Sequence, residues 1–217
     1  DADRRALPLL APALRHAALA PALRDALANF GAIETVLIAA RDNGAFGSLG
    51  ARLIDALDLL GEFLGEPESI DASISSPRAV SGVRAALPDD LTLLHGSLTA
   101  HLRFETGASA ALSLTDQVGR WFRGLTLTGE EGVIRFDDRG FEWIGPDGNV
   151  IDHTDAPAGE PAERLMAFLG DGAFDAQPPT PEQRARTLAA GAACVLSART
   201  GQPESPATVR RMANLSA

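Results

Sequence analysis

Ser48, Arg52 and Asp55 stand at i, i+4 and i+7 in the stretch SLGARLID, the spacing that lines three side chains along one stripe of an α-helix. Beside a cleft, such a stripe could bind a polyol or a carboxylate, with the Arg52 guanidinium donating to oxygens and Asp55 orienting it. On an open helix face the same residues form a solvated stripe, where an Arg–Asp pair contributes a fraction of a kcal/mol. Spacing alone favours the solvated face. Gly44, Gly47 and Gly50 sit between an apolar run and this helix, and Asp71 follows about twenty residues on, which outlines a dinucleotide-binding turn. The first two glycines of that fingerprint are separated by one residue so that backbone can approach pyrophosphate. Here two residues intervene, a spacing that fits a tight strand-to-helix turn and close packing instead.

Other chemistry is thinner. His95 and His101 share a strand face if the strand reaches back through Gly96, but no carboxylate or thiol is placed by spacing to complete a metal shell, so no metal site is expected. Cys194 is the one cysteine and lies in an apolar helical run, where a buried, inert thiol is expected. It cannot close an intramolecular disulfide. All nineteen basic residues are Arg, and the chain contains neither Lys nor Tyr. That removes Schiff-base chemistry, a Walker-type phosphate lysine and a Tyr–Lys proton relay. Twenty-nine acidic residues give a formal charge of −10, which makes nucleic acid and anionic membrane poor partners. No apolar run approaches the ~18 residues needed to cross a bilayer, no secretory leader is visible, and a cytoplasmic setting is expected.

These residues need a scaffold, and its elements are written in the hydrophobic pattern. Residues 7–30 read as a short strand, Leu7 to Leu10, followed by a helix that Pro21 opens or restarts and Gly31 closes. Ala32 to Ala40 is a buried strand. Residues 47–60 form a helix with Leu49, Leu53, Leu57 and Leu60 at intervals of three and four, stopped by Gly61. Ser69 to Ser75 is a strand, and 76–96 is a loop. From Ser97 to Glu105 polar odd positions alternate with apolar even ones, predicting a strand with one buried face. Ala108–Thr115, Trp121–Thr128, Gly132–Phe136, Phe141–Ile144 and Val150–His153 continue as an antiparallel meander joined by turn residues. Glu160-Pro161 opens a short helix. Thr180-Pro181-Glu182-Gln183 is a capping box, and it starts a longer helix carrying Leu188, Ala192, Val195 and Leu196 that stops near Gly201. The fold class is α+β: a large open, predominantly antiparallel sheet with helices packed on one face.

Residues 44–62, GAFGSLGARLIDALDLLGE, resemble the signature helix of the Gfo/Idh/MocA family of NAD(P)-dependent oxidoreductases, which carries something close to G-A-L-x-D-x-G-x-H-x-x-D-x-x-x-x-L-G. Leu7–Ile38 is similar to the family's crossover out of its cofactor domain, with Arg15 at the Arg of an R-x-x-P-type motif. Thr126–Phe136 and the helix ending in Ser197–Gln202 are similar to the family's closing segments. The resemblance implies a C-terminal, dihydrodipicolinate-reductase-like domain. In it, residues 1–30 are a remnant of the crossover from a missing cofactor domain, and 31–217 form the substrate and oligomerisation domain.

Two departures qualify what is implied. The family's Gly-rich Rossmann domain and the Glu-Lys-Pro segment that supplies a catalytic lysine are absent, as if the chain were a fragment. Ser48 and Arg52 occupy the positions of the family's catalytic Asp and His, and only Asp55 is kept. An Arg, always protonated, cannot accept the proton that the family's His takes from a substrate hydroxyl. No catalytic residue is therefore assigned. Arg15, Ser48, Arg52 and Asp55 are substrate-binding candidates, and Arg52 would imply an acidic or phosphorylated substrate, or a proton acceptor elsewhere. NAD or NADP is implied for the parent protein, while this chain alone is expected to bind neither and to be inactive. A homo-oligomer formed through the open sheet and a sugar, polyol or related hydroxy compound as substrate are implied as partners. The alternative is a non-catalytic assembly or ligand-binding module that has lost the active-site pair.

Overall fold

The computed structural model describes residues 19–44, 47–75, 87–88, 90–159, 163 and 179–213. The expected strand at Leu7–Leu10, Arg15 and all but one residue of the short helix expected after Glu160 lie outside them. Four helices are described: α1 (Ala20–Leu27), α2 (Leu49–Phe63), α3 (Pro181–Thr200) and α4 (Pro206–Met212). The strands are β1 (Ile33–Arg41), β2 (Ser69–Ser75), β3 (Ser97–Arg103), β4 (Ser109–Thr115), β5 (Phe122–Gly129), β6 (Gly132–Asp137), β7 (Gly140–Ile144) and β8 (Val150–Asp155). They form one sheet in the order β2-β3-β4-β1-β5-β6-β7-β8. Every neighbouring pair is antiparallel except β1 and β4, which run parallel.

The alternation expected from Ser97 onward is what the strand uses. Leu98, Ala100 and Leu102 point into the core and are met on β4 by Leu114, Leu112 and Ala110, their direct cross-strand partners. Val36, Ile38 and Ala40 extend the same buried face across β1, and Leu125, Leu127, Ile134, Phe136 and Phe141 carry it to β7. Leu49, Leu53, Leu57 and Leu60 of α2 lie over this face, each at most 4% exposed, and burial of one such side chain stabilises by about 1.5–3 kcal/mol. Leu19, Leu23, Ala26 and Phe30 enter the same core, and the Phe30 ring meets Trp143 of β7 edge-on at 6.0 Å.

Three expectations change. β1 is buried on one face only. Leu37 is 54% exposed on the other face, because the helices cover a single side of the sheet. Gly61 does not stop α2. The helix runs on to Phe63, and the reversal falls at Gly65, whose φ of +81° suits glycine. In α3 the capping box at Thr180 and Gln183 forms as expected and Gly201 closes the helix with φ +70°, but its packed face is not the leucine one. Leu188 is exposed, and the buried residues are small: Ala189, Ala190, Gly191, Ala193, Cys194 and Ser197, with Val195. Small side chains let α3 approach α2 on one side and β2 on the other, with Gly191 facing the Ile54 and Leu91 side chains. Cys194 is fully buried, and burial pushes its thiol up to about 12, the inert thiol its context predicted.

The two sheet margins are finished differently. On β2, the outward N–H of Ile70 donates to Glu204 and that of Ala72 to the Ser197 hydroxyl, each at 2.9 Å. All six residues of β8, at the other margin, are exposed, and Asp152 and Asp155 place negative charge there.

Candidate functional site at the amino end of helix α2

The carboxyl ends of the one parallel strand pair, Arg41 of β1 and Thr115 of β4, are direct partners, and the chain leaves both toward the first turn of α2. Ligand crevices in sheets with helical crossovers form outside such ends. Five polar groups converge there: Asp42, Ser48, Arg52, His95 and Asp116.

Ser48 is the N-cap of α2, its hydroxyl accepting from the Ala51 N–H at 3.2 Å. Arg52, one turn further, folds back over the turn. Its Nη1 donates to the carbonyls of Gly47 at 2.7 Å and Ser48 at 2.9 Å, and its Nη2 pairs with the Asp42 carboxylate. Asp42 is 1% and Arg52 8% exposed. The stripe is therefore not solvated, and Arg52 does not pair with Asp55. The guanidinium is committed to tying the end of β1 to α2, which leaves it little with which to grip an anionic substrate.

Asp116 follows β4 and is 2% exposed. Its Oδ2 accepts the Leu49 N–H at 3.0 Å and the His95 ring at 2.6 Å. Its Oδ1 accepts the Gly96 N–H at 2.8 Å and the Gln117 side-chain amide. Burial pushes this carboxyl up, but the bonds from Gln117, Gly96, His95 and Leu49 together outweigh it and hold the group below the usual carboxylate range. An ionised carboxylate has no proton to give, so the ring donates through Nδ1–H and a neutral ring carries its lone pair on Nε2. The His95 side chain is 59% exposed.

A second buried cluster lies one turn along α2. Arg123 of β5, 6% exposed, grips Asp138 through Nε at 3.2 Å and Nη2 at 2.7 Å. It lies 5.2 Å from the centre of the Trp121 ring, and the indole N–H donates to Asp138 at 2.8 Å. Its Nη1 is 4.0 Å from the Asp55 carboxylate. Asp55 thus faces a cation from across the sheet. Trp121 and Phe122 are half-buried, with Arg123 and Arg41 over their respective rings.

Of the residues marked in the sequence, the structure brings Ser48 and Arg52 together around one turn and places Asp55 one turn along. Arg15 is outside the described residues. His101 points out of β3, six residues and one strand length from His95, and no cluster of metal-ligating residues occurs among the described residues. The Asp116–His95 pair was not found by spacing. A histidine before a strand and an aspartate after the next one give no periodic signal, although the β3–β4 hairpin necessarily returns the two chain ends to the same place. The Gly44–Gly50 turn is not a pyrophosphate seat either. A side-chain carbon on Gly50 would stand 1.7 Å from the Leu91 carbonyl oxygen, so this glycine is used up by backbone packing, and β2 lies three strands from β1 instead of beside it. Gly44, Gly47, Gly50 and Asp71 are thus not arranged as the dinucleotide fingerprint.

No protein-family model and no curated protein sequence matches the chain. Solved structures do. A levoglucosan dehydrogenase in complex with NADH and L-sorbose superimposes with a TM-score of 0.65 at 15% identity, over 90% of this chain and 64% of that one. The WlbA dehydrogenase from Bordetella pertussis, in complex with NADH and UDP-GlcNAcA, gives 0.59 at 17% identity, over 89% and 63%. A myo-inositol dehydrogenase from Corynebacterium glutamicum gives 0.58 at 18% identity, again over 89% and 63%. The fold is that of the C-terminal domain of Gfo/Idh/MocA-type oxidoreductases. The chain spans less than two thirds of the length of these structures. Among its described residues, no helix is long and apolar enough to cross a membrane.

Proposed function

We propose that this chain is the substrate-side and oligomerisation domain of an NAD(P)-dependent oxidoreductase acting on a sugar, polyol or related hydroxy compound. The observation that carries the reading is the β1–α2 crossover inside a Gfo/Idh/MocA-type sheet. It delivers a polar, partly open helix start to the carboxyl ends of β1 and β4, while the rest of the helix face is sealed in the core. NADH complexes among the structural neighbours support a nicotinamide dinucleotide for the parent protein. Hydride acceptance is the chemistry that cofactor supplies, and its grip is assigned to the rest of the parent protein, since Gly44, Gly47 and Gly50 lack the fingerprint's spacing. The sheet face opposite the helices, with a depression of about 640 Å³ lined by Leu37, Phe122, Arg135 and Glu142, is the contact between copies.

The test is turnover by the full-length protein with NAD⁺ or NADP⁺ against a panel of myo-inositol, levoglucosan and glucose, beside titration calorimetry of the isolated 217-residue chain with both dinucleotides. Turnover by the former and negligible binding by the latter are expected. Tight dinucleotide binding by the isolated chain refutes the division of labour. One observation favours a second reading, a non-catalytic ligand-binding or assembly module: the helix position of the family's histidine holds an Arg that is fully occupied. A full-length protein that binds a polyol without nicotinamide-dependent turnover establishes that module instead.

A further inference from the structure

We infer that His95, through Nε2, is the group that exchanges a proton with the substrate hydroxyl at the amino end of α2, with Asp116 as its positioning residue; this rests on the oxidoreductase reading above. Among the described residues of the site, the other polar groups are already committed. Arg52 is a permanent cation spent on Asp42 and two carbonyls, the Ser48 hydroxyl caps the helix, and Asp42 and Asp55 are buried beside guanidinium groups. His95 differs from all of these in being open to solvent while one of its nitrogens is fixed.

The fixing is unusually complete for an exposed side chain. Its partner oxygen, Asp116 Oδ2, also takes the Leu49 N–H, so a single buried atom joins the imidazole to the first residue of α2. The Gly50 N–H donates to the carbonyl of Leu94, at 3.3 Å, which holds the residue before His95 against the same helix turn. Ring position and tautomer are thus set by elements arriving from β4, α2 and the segment before β3. An exposed surface ion pair alone is worth little and needs none of this support, whereas a proton carrier needs a defined tautomer and a reachable nitrogen.

In the oxidation direction the substrate O–H bond breaks and its proton passes to Nε2, while the carbinol C–H bond delivers its electron pair as hydride to the oxidised nicotinamide dinucleotide. The C–O bond becomes a carbonyl. The imidazolium left behind is stabilised by Asp116 and returns its proton to solvent through the exposed ring edge. Charged groups on the elements around His95 are Asp116 after β4, Asp42 and Arg52 at the β1–α2 turn, and Asp90, which caps the 3-10 turn at Leu91–Leu93. Asp42 and Arg52 neutralise one another, so Asp116 dominates.

The experiment pairs kinetics with a readout independent of turnover. His95→Asn places a side-chain amide where Nδ1 was, able to donate to Asp116, and removes Nε2. In the full-length protein, with the best substrate of the panel above, kcat is expected to fall by about 10²–10⁴-fold with KM little changed. Asp116→Asn is expected to lower kcat by less, again with KM little changed, because the ring is no longer held to α2 in one tautomer. Nitrogen-15 spectra of the imidazoles in the isolated chain, which has four histidines, are expected to show His95 as the Nδ1–H tautomer at high pH and to lose that signature in Asp116→Asn. Wild-type kcat in His95→Asn overturns the role and leaves the oxidoreductase reading standing. No nicotinamide-dependent turnover by the wild type overturns the reading and the role together. An Nε2–H tautomer overturns the role whatever the kinetics.

Discussion

Arg52 and Asp42 form a buried ion pair that staples the carboxyl end of β1 to the second turn of α2. Both partners are almost fully out of water, and the guanidinium adds bonds to the Gly47 and Ser48 carbonyls. The pair therefore governs whether the α2 start exists at all, and a change at Arg52 is felt first as stability.

Arg52→Met leaves the Asp42 carboxylate buried without its cation. A loss of about 3–5 kcal/mol is expected, read from urea unfolding of the isolated chain. Adding Asp42→Asn should recover a large part of it, since no charge is then stranded. If Arg52→Met unfolds at the wild-type urea concentration, the staple has no energetic weight and the arginine is again open to a ligand role.

Two glycines of α2 give opposite outcomes. At Gly50 an added methyl meets the Leu91 carbonyl, so Gly50→Ala is expected to cost about 1–3 kcal/mol or more through forced displacement of the 3-10 turn. At Gly61 nothing lies within 4 Å of an added carbon and the helix continues past it. Gly61→Ala is expected to stabilise by about 0.4–1 kcal/mol through a less mobile unfolded chain. Thermal melts of the two variants against wild type decide both.

Much of this architecture was legible from patterning, because it depends on neighbours in sequence. The alternation from Leu98 to Phe104, the Leu49–Leu60 repeat and the Thr180 capping box each describe interactions spanning a few residues, and each forms. The end of α2 was misplaced because a glycine with helical backbone, Gly61, looks in sequence like the one with positive φ, Gly65. Burial of the Ser48–Arg52–Asp55 stripe could not be read locally. Asp42 reaches Arg52 around a turn, and Arg123 reaches Asp55 only because β5 pairs with β1, Ala40 opposite Arg123. The Asp116–His95 pair likewise exists through the hairpin that sets Ser97 opposite Thr115.

Asp116 makes stability fall on acidification in a defined way. Its carboxyl sits below its ordinary value of 3.8 in the folded chain, so the unfolded chain binds the proton more readily. The contribution is complete above that ordinary value and is lost as pH drops through the lower, folded one. Urea midpoints between about pH 6 and about pH 3 are expected to decline in the wild type and to decline less in Asp116→Asn. Parallel curves for the two proteins would remove Asp116 from the acid response.

On the uncovered sheet face, Leu37→Asp is expected to shift the protein to smaller species in sedimentation velocity, because a carboxylate there has to be desolvated when two faces meet. Unchanged sedimentation places the contact between copies elsewhere.

Ile70 and Ala72 have their outward N–H groups spoken for by Glu204 and Ser197, and this dictates how the molecule can multiply. A ribbon lengthened by lateral strand addition requires two receptive borders, and one border here is already shut by the chain's own tail. With that border closed, open-ended growth along the hydrogen-bonding direction has no second place to continue, and strand pairing between copies would be confined to β8.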